Sequence, residues 1–323
     1  MTGKTALITG VTGQDGRFAA RALHGRGYRV VGTSRYADAS AGNLDGVAEL
    51  RSCALTDLAE VIALVREVAP AEIYNFAAFS TGSGMFDAPL AMGDVNAQGP
   101  VRLLEAIRQV DPAIRFCQAS SSEIFGPRSP APQSELTPAD PRSPYGAAKL
   151  YAHSMIDIYR SAHGLFACSA ILFNHESELR TPAFVTRKIT RAAARISAGL
   201  EDHVTLGDME SRRDWGFAGD YVEAMQLMLQ ADEAADYVVA SGTTHSVRDL
   251  ANIAFAEVGL DYRNHVRSDL QFKRQRPETK IVGDPAKLHA LGWRPRISFE
   301  DLVRRMVRAD LDTLGTRPKR KEE

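Results

Sequence analysis

A tyrosine and a lysine four positions apart are the first residues of this sequence that could do chemistry. Tyr145 and Lys149 stand in the segment Ser-Pro-Tyr-Gly-Ala-Ala-Lys. On a helix, that spacing places both side chains on one face. A lysine ammonium beside a phenol favours the phenolate and lowers the phenol pKa toward neutrality, so the pair predicts a tyrosine that acts as a base. For the spacing alone, the alternative is an ordinary amphipathic helix.

A serine-rich segment upstream could bring a hydroxyl and a carboxylate to the same site. Ser121 and Glu123 stand in Ala-Ser-Ser-Ser-Glu, directly after a predicted buried strand whose carboxyl end should open at a ligand crevice. If the segment stays extended, the two side chains point the same way. They would then offer one substrate a hydrogen-bonding hydroxyl and a group for proton transfer. The alternative is a polar turn capped by serine.

Glycines with the spacing G-x-x-G-x-x-G follow the first predicted strand. Glycine lets the chain turn tightly and lets its backbone approach a pyrophosphate, which then lies at the positive N-terminus of the next helix. Because the pattern follows a strand and opens a helix, it favours dinucleotide binding over a purely structural turn. We predict that the cofactor contacts Gly10, Thr12, Gly13, Gln14, Asp15 and Gly16.

The second predicted strand ends at an arginine. NAD-specific sites tend to place an acid here for the ribose 2′-hydroxyl, whereas this chain has Gly-Thr-Ser-Arg, ending at Arg35. An arginine can pair with the 2′-phosphate of NADP. The sequence therefore favours NADP over NAD, and the alternative is that Arg35 is a solvated loop residue.

Alternating strands and helices should position these residues. Apolar runs predict strands over 5–9, 29–33, 72–77, 115–119 and 166–173, and helical patterns predict helices over 17–25, 58–68, 96–110 and from about 144. This rhythm predicts an α/β fold with a doubly wound parallel sheet, as in a Rossmann fold. Longer polar loops from about residue 174 predict a smaller, mixed C-terminal domain.

The change in texture at residue 174 divides the chain into two predicted domains and a tail. We expect the NADP-binding Rossmann domain to comprise residues 1–173 and about 215–241. The substrate-binding domain would comprise 174–214 and 242–315. The charged residues 316–323 predict a disordered tail.

Charge and cysteine content exclude several classes of protein. The 39 Lys and Arg residues nearly balance the 40 Asp and Glu residues, so no strongly basic field would attract nucleic acid or anionic lipid. Cys53, Cys117 and Cys168 are far apart and match neither a metal motif nor a dense disulfide framework. No run of about 18 apolar residues and no signal-peptide pattern occurs. We therefore expect a cytoplasmic protein that binds no metal, nucleic acid or membrane.

Longer segments of the chain resemble the GDP-mannose 4,6-dehydratases, which are extended short-chain dehydrogenases/reductases. The resemblance runs from about residue 4 to 310, and its segments include ITGVTGQDG at 8–16, QASSSEIFG at 118–126, PRSPYGAAKLYA at 141–152 and RRDWGFAGDYVEAM at 212–225. It implies an NADP-dependent homo-oligomer that acts on GDP-mannose or a close nucleotide sugar. The segment after Arg35 is shorter than is usual in the family, which favours a dimer and leaves a tetramer open.

By this resemblance, Tyr145 takes a proton from the sugar 4-hydroxyl while C4 gives hydride to NADP, and Lys149 holds the nicotinamide ribose. Glu123 would remove the C5 proton, water would leave from C6, and the hydride would return to C6. Ser121 replaces the threonine usual in the family and would bond the C4 oxygen, and His175 would contact the cofactor. The implied substrate residues are Ser80, Asn174, Arg187, Lys188, Arg213, Arg248 and Arg276.

Some positions depart from the family pattern. Phe79 and Thr81 replace a polar Gln and His, and the segment 178–184 lacks the usual PRRG. Ala54 replaces an Asp near the adenine. These changes predict a reshaped sugar pocket and a looser adenine site.

Three alternatives therefore stay open. A 4-reductase or epimerase of the same family would use the same tyrosine and lysine, although Glu123 favours the dehydratase because a simple reductase needs no base at C5. A non-catalytic NADP-binding protein fits the altered pocket, whereas the intact catalytic set argues against it. Arg213 could form a structural ion pair with Asp214 instead of binding substrate.

Overall fold

The computed structural model describes residues 3–35, 44–79, 86–269 and 281–315. The strands are β1 (Thr5–Thr9), β2 (Arg29–Ser34), β3 (Glu49–Ser52), β4 (Glu72–Asn75), β5 (Arg115–Ala119), β6 (Ala167–Leu172), β7 (Asn174–Glu176), β8 (Val204–Leu206), β9 (Arg212–Phe217), β10 (Tyr237–Val239), β11 (Thr244–Ser246) and β12 (Val266–Ser268). The helices are α1 (Gln14–Gly25), α2 (Leu58–Val68), α3 (Pro89–Gly93), α4 (Gly99–Val110), α5 (Pro144–His163), α6 (Val185–Ser197), α7 (Ala218–Met228), α8 (Val247–Glu257), α9 (Ala286–Ala290) and α10 (Phe299–Thr313). None of the helices in these ranges has the length and apolar composition that crossing a bilayer requires.

Parallel strands form the central sheet in the order β10-β6-β5-β4-β1-β2-β3. The chain moves outward from β1 in both directions, so the switch point lies between β1 and β4, where open α/β sheets bind their ligands. Helices α1 and α7 cover one face, and α2, α4 and α5 cover the other. The predicted doubly wound parallel sheet is confirmed.

The bounds of β1, α2 and β5 agree with the predicted bounds, and other elements differ for local reasons. Helix α1 begins at Gln14 rather than at residue 17, because Gly13 is the extended N-cap and the polar first turn gives no apolar pattern. The sequence does not predict β3, which is half-exposed and lacks an apolar run. The predicted helix over 96–110 is a π-helical turn at Asp94–Gln98 followed by α4.

Helix α5 carries the tyrosine and lysine pair, and its ends follow from the sequence. Ser143 is the N-cap, and its Oγ accepts a hydrogen bond from the Gly146 backbone nitrogen at 3.0 Å. Pro144 occupies the first position, where a missing N–H costs little. Gly164 ends the helix in the left-handed region, with φ +65°. These caps set the register with which Tyr145 and Lys149 reach the sheet.

A smaller mixed part of the fold packs beside the central sheet. It contains a three-stranded sheet in the order β11-β9-β7 and the pair β8 and β12. Helices α6, α8 and α10 surround its core, which includes Ile189, Leu250 and Val307. Helix α7 and strand β10 lie between these segments in the chain but pack with the central sheet. The residue boundaries of the two predicted domains stay a prediction.

We predict that Leu104→Ala lowers the free energy of unfolding by about 2–5 kcal/mol in urea denaturation, because truncation leaves a cavity that the core only partly refills. Leu104 lies fully buried in α4, in the core beneath α2, α4 and α5. Leu136→Ala is the matched control, since Leu136 is 93% exposed, and it should change stability by less than about 0.5 kcal/mol. Equal losses in the two variants would contradict this core.

Candidate active site

A cavity of about 160 Å³ opens at the carboxyl ends of the central strands. Its walls come from the first turn of α1, from the segments after β4, β5 and β6, and from the start of α5. The predicted site residues that line it are Ser121, Glu123, Tyr145, Lys149, Asp15, Asn174 and His175. The fold thus brings the four predicted catalytic side chains together. In the part of the chain that the structure describes, no cluster of three or more His, Cys, Asp or Glu side chains could hold a metal ion.

The glycine-rich loop approaches neighbouring backbone so closely that side chains would not fit. Gly10 has φ +69°, and a Cβ there would lie 2.7 Å from the Ala77 backbone nitrogen. A Cβ at Gly16 would lie 2.5 Å from the Gly10 carbonyl oxygen. Gly13, the N-cap of α1, supplies no side-chain hydrogen bond, so the first-turn N–H groups are left for a ligand. The loop therefore has the form of a pyrophosphate cradle.

Gln14 and Asp15, the first residues of α1, connect this cradle to β7. The Asp15 carboxylate lies 3.0 Å from His175 Nε2, and His175 Nδ1 lies 2.7 Å from the Phe173 carbonyl oxygen. Ser177 Oγ donates to the Gln14 carboxamide oxygen at 2.7 Å. Burial alone would lower the pKa of His175, but the Asp15 carboxylate raises it overall. Burial alone would raise the pKa of Asp15, but His175 lowers it overall, so the pair stabilises its charged form.

Ser121 and Glu123 do not lie in one extended segment. Their side chains therefore do not point the same way from a strand, as the sequence analysis expects for an extended chain. Ser121 is extended, with φ −155° and ψ 146°, but Ser122–Ile124 form a 3₁₀ turn. Ser121 Oγ accepts a hydrogen bond from the Glu123 backbone nitrogen at 3.2 Å and caps that turn. Both residues nevertheless line the cavity, because the turn carries Glu123 to its wall.

Gly146 sets how closely α5 approaches the Ser121–Glu123 segment, a role that sequence reasoning misses. A Cβ at Gly146 would lie 2.3 Å from the Glu123 carbonyl oxygen. This close approach brings Tyr145 to the same cavity wall as Ser121, whose hydroxyl acts to lower the phenol pKa. The sequence contains a feature that could have indicated this role. A glycine inside a helix costs about 1 kcal/mol relative to alanine, so its presence suggests a close packing contact.

The surroundings of Tyr145 and Lys149 differ from the sequence expectation. Burial raises the pKa of Tyr145 to about 12, although the hydrogen bond with Ser121 opposes the shift. Burial lowers the pKa of Lys149 to about 8, although the Asp15 carboxylate opposes it. Lys149 Nζ lies 5.7 Å from the Tyr145 ring centre and donates to the Ala119 carbonyl oxygen at 2.7 Å. The prediction that Lys149 lowers the pKa of Tyr145 is therefore wrong for the protein without bound cofactor or substrate.

Arg180 is a cavity residue that the sequence analysis does not identify. Its guanidinium carbon lies 3.5 Å from the Phe184 ring centre, and its Nε lies 3.2 Å from the buried Glu176 carboxylate. Arg180 and Phe184 both line the cavity. A guanidinium held in this way can bind an anionic ligand group. The sequence feature that could have identified Arg180 is its position as a basic residue within 178–184, the segment in which the sequence analysis expects a departure from the family pattern.

The other predicted substrate residues that the structure describes lie outside the cavity walls. Each bonds to a protein oxygen, in the pairs Arg187–Asp310, Lys188–Thr205, Arg213–Ser211 and Arg248–Glu210. Asp214, the alternative partner of Arg213, accepts hydrogen bonds from Ser241, Gly242 and Gly283. A substrate that contacts these cationic residues must extend beyond this cavity.

Arg35 and two predicted substrate residues lie at the margins of the described chain. Arg35 is exposed directly after β2, and its carbonyl oxygen accepts a hydrogen bond from Ser52 Oγ at 3.3 Å. Its strand neighbours β1, which leads into the glycine loop. Ser80 and Arg276 fall outside the described residues, as do Thr81 and the tail at 316–323.

Comparisons with known proteins identify the family of the chain. Residues 7–306 match the family model described as GDP-mannose 4,6 dehydratase. The chain is 44% identical to GDP-mannose 4,6 dehydratase 2 of Arabidopsis thaliana, over 96% of this chain and 87% of that protein. It is 40% identical to GDP-mannose 4,6 dehydratase of Homo sapiens, over 97% of this chain and 93% of that protein.

Among solved structures, UDP-glucose 4-epimerase of Thermus thermophilus in complex with NAD is similar, with a TM-score of 0.81 and 27% identity over 95% of this chain and 98% of that one. The fold is therefore shared by epimerases of nucleotide sugars. The family match and the curated relatives are more specific, because they cover nearly the whole chain at higher identity. On this evidence the chain belongs to the GDP-mannose 4,6-dehydratase family.

Proposed function

We propose that this chain is an NADP-dependent 4,6-dehydratase that converts GDP-mannose, or a close nucleotide hexose, to the 4-keto-6-deoxy sugar. The observation that carries the proposal is the convergence of Ser121, Glu123, Tyr145 and Lys149 on one cavity beside the glycine cradle. A hydroxyl, a carboxylate, a phenol and an ammonium suit oxidation at C4 followed by elimination across C5 and C6. The names of the similar Arabidopsis and human proteins support GDP-mannose as the substrate.

The cradle fits the pyrophosphate of a nicotinamide dinucleotide. Gly10 and Gly16 admit no side chain, and the uncapped N-terminus of α1 offers N–H donors to an anion. When bound, such a cofactor supplies a reversible hydride acceptor. The guanidinium of Arg35 supports NADP, because it can pair with a 2′-phosphate. The Asp15 carboxylate raises the pKa of His175, which favours a charged imidazolium that would offset Asp15 near the phosphates.

Tyr145 serves as the base for the sugar 4-hydroxyl. A buried phenol with a pKa of about 12 is a poor base at neutral pH, so it needs groups that stabilise the phenolate. The Ser121 hydroxyl supplies part of that stabilisation and would bond the C4 oxygen. The Lys149 ammonium would add to it once cofactor and substrate occupy the site. As C4 loses hydride, Tyr145 takes the hydroxyl proton and a 4-ketone forms.

Glu123 serves in the elimination that follows. The ketone acidifies the C5 proton, which Glu123 removes and passes to the C6 hydroxyl, so that water leaves. Return of hydride to C6 and of a proton to C5 completes the 4-keto-6-deoxy sugar. The sugar loses one water, and no external reductant is consumed.

Incubation of the purified protein with GDP-mannose and NADP, without NADPH, is expected to yield a nucleotide sugar lighter by one water in mass spectrometry. Parallel incubations with UDP-, dTDP- and CDP-hexoses test the choice of base. In a separate incubation with NADPH, consumption of NADPH without water loss would support the reductase. An isomer of unchanged mass, separated by chromatography, would support the epimerase. No turnover of any of these sugars would contradict an enzyme of this class.

We predict that Glu123→Gln lowers the rate of water loss by about 10²–10⁴-fold, because the base at C5 is removed. Binding of NADP should be unchanged, and reduced nicotinamide should accumulate on the variant as C4 is oxidised without elimination. Glu67→Gln, at an exposed position of α2, is the matched control and should keep full activity. An unchanged dehydration rate in Glu123→Gln would contradict this role.

We predict that Arg35→Asp weakens NADP binding by about 10–100-fold, because it removes a charge-assisted hydrogen bond and places an acid against the 2′-phosphate. Binding of NAD should be retained or improved, as titration calorimetry of both dinucleotides can show. Arg66→Asp makes the same change at an exposed position of α2 and should leave both affinities unchanged. Equal NADP affinity in the Arg35→Asp variant and the original chain would favour a solvated loop arginine.

A further inference from the structure

A row of polar side chains crosses the centre of the sheet. Thr33, Thr9, Asn75, Gln118 and Ser169 are register partners on the neighbouring strands β2, β1, β4, β5 and β6. Register partners point to the same face of a sheet, and here that face is the one covered by α2, α4 and α5. All five residues are at most 2% exposed. A buried polar side chain is costly unless it is hydrogen-bonded. The hydrogen-bond partners of these five side chains therefore indicate which neighbouring groups the row positions.

Hydrogen bonds along the row lead in one direction, to the lysine of the active site. Thr9 Oγ1 donates to the Asn75 carboxamide oxygen, and Asn75 Nδ2 donates to Gln118 Oε1 at 2.6 Å. Gln118 Nε2 then donates to the Ala119 carbonyl oxygen at 2.7 Å. Lys149 Nζ donates to that same oxygen, also at 2.7 Å. Since a carbonyl oxygen can only accept, the Gln118 amide has one possible orientation, and it fixes the orientation of Asn75.

Helix α5 contacts the polar row a second time, one turn further on. His153 Nδ1 lies 2.9 Å from Ser169 Oγ, and His153 follows Lys149 by four residues. Two side chains on one helix face therefore contact Ser169 of the row and the Ala119 carbonyl oxygen to which Gln118 of the row donates. This double contact sets the position of α5 along the sheet.

We infer that Gln118 is a positioning residue for Lys149, which it fixes through the shared Ala119 carbonyl, and that Thr9 and Asn75 hold Gln118 in place. The inference rests on the proposed function in assigning Lys149 to the chemistry of the cavity. The Ala119 oxygen has two lone pairs, one used by the amide and one by the ammonium. Sharing with a neutral donor weakens the pull of this oxygen on the ammonium proton, so the row keeps Lys149 more acidic than a single hydrogen bond would.

Other charged or titratable groups face Lys149 and set the background for this effect. Burial lowers its pKa to about 8, against the field of Asp15. The groups around the cavity are Asp15 on α1, Glu123 in the 3₁₀ turn, Tyr145 on α5, His175 on β7 and Arg180 after β7. A substitution at Gln118 leaves all of them in place, so a change in the Lys149 pKa reports on the row.

Gln118→Met tests the inference, because it removes both amide hydrogen bonds and nearly keeps the side-chain volume. We expect an NMR titration of the lysine ¹³Cε resonances to place the pKa of Lys149 higher by about 0.5 unit, a factor of about 3 in the ionisation constant. The Lys149 resonance is assigned by its loss in Lys149→Met. We also expect kcat to fall at least about tenfold while KM for the nucleotide sugar stays within about twofold, as displaced catalytic groups produce.

Gln226→Met is the matched control. Gln226 is 1% exposed in α7, and its carboxamide has no hydrogen-bond partner among the described residues, so the same change there should move neither readout. An unchanged or lower Lys149 pKa in Gln118→Met would overturn the inference. The titration requires no turnover, so a lack of dehydratase activity would count against the proposed function and leave this test intact.

A second pair of variants serves if Gln118→Met does not fold. Thr9→Val removes the first hydrogen bond of the row, and Thr9→Ser restores the hydroxyl. A raised Lys149 pKa in the valine variant alone would support the inference. Equal Lys149 pKa values in the two variants would overturn it.

Discussion

A lysine ammonium buried beneath the cavity is the constraint on which the centre of the molecule depends. Lys149 is only 3% exposed, and burying an unpaired charge costs several kcal/mol, so oxygen acceptors must be held close to it. The Ala119 carbonyl oxygen at the end of β5 meets this need directly, and the Asp15 carboxylate at the start of α1 contributes its field. The positions of strand β5, helix α1 and helix α5 are therefore linked through one charge.

Glycines make it possible for these elements to meet. The loop after β1, the first turn of α1 and the first turn of α5 all approach neighbouring backbone more closely than a Cβ allows, at Gly10, Gly16 and Gly146. The first two contacts form the phosphate cradle, and the third brings the tyrosine to the serine and glutamate segment. Close backbone contacts at glycines thus form both the predicted cofactor site and the arrangement of the acid and base groups.

The segment after β7 is held in place by its own contacts. Arg305 on α10 makes two hydrogen bonds to the Glu178 carboxylate, at 2.8 and 3.0 Å. Arg187 Nε donates to the Arg180 carbonyl oxygen at 3.1 Å, and the Arg180 side chain rests between Glu176 and Phe184. The segment therefore holds an arginine at the cavity wall, supported by Glu176 and Phe184.

Much of the fold could be predicted from the sequence, because short-range patterns determine it. Apolar runs located β1, α2 and β5, the helical pattern from about residue 144 located the start of α5, and the spacings of glycines and of Tyr145 and Lys149 pointed to residues at the cavity. Only the tertiary structure decided the 3₁₀ turn that carries Glu123, the presence of Arg180, the raised Tyr145 pKa and the polar row that ends at Lys149. Burial and register join residues far apart in the chain, so these features depend on contacts that local sequence patterns do not encode.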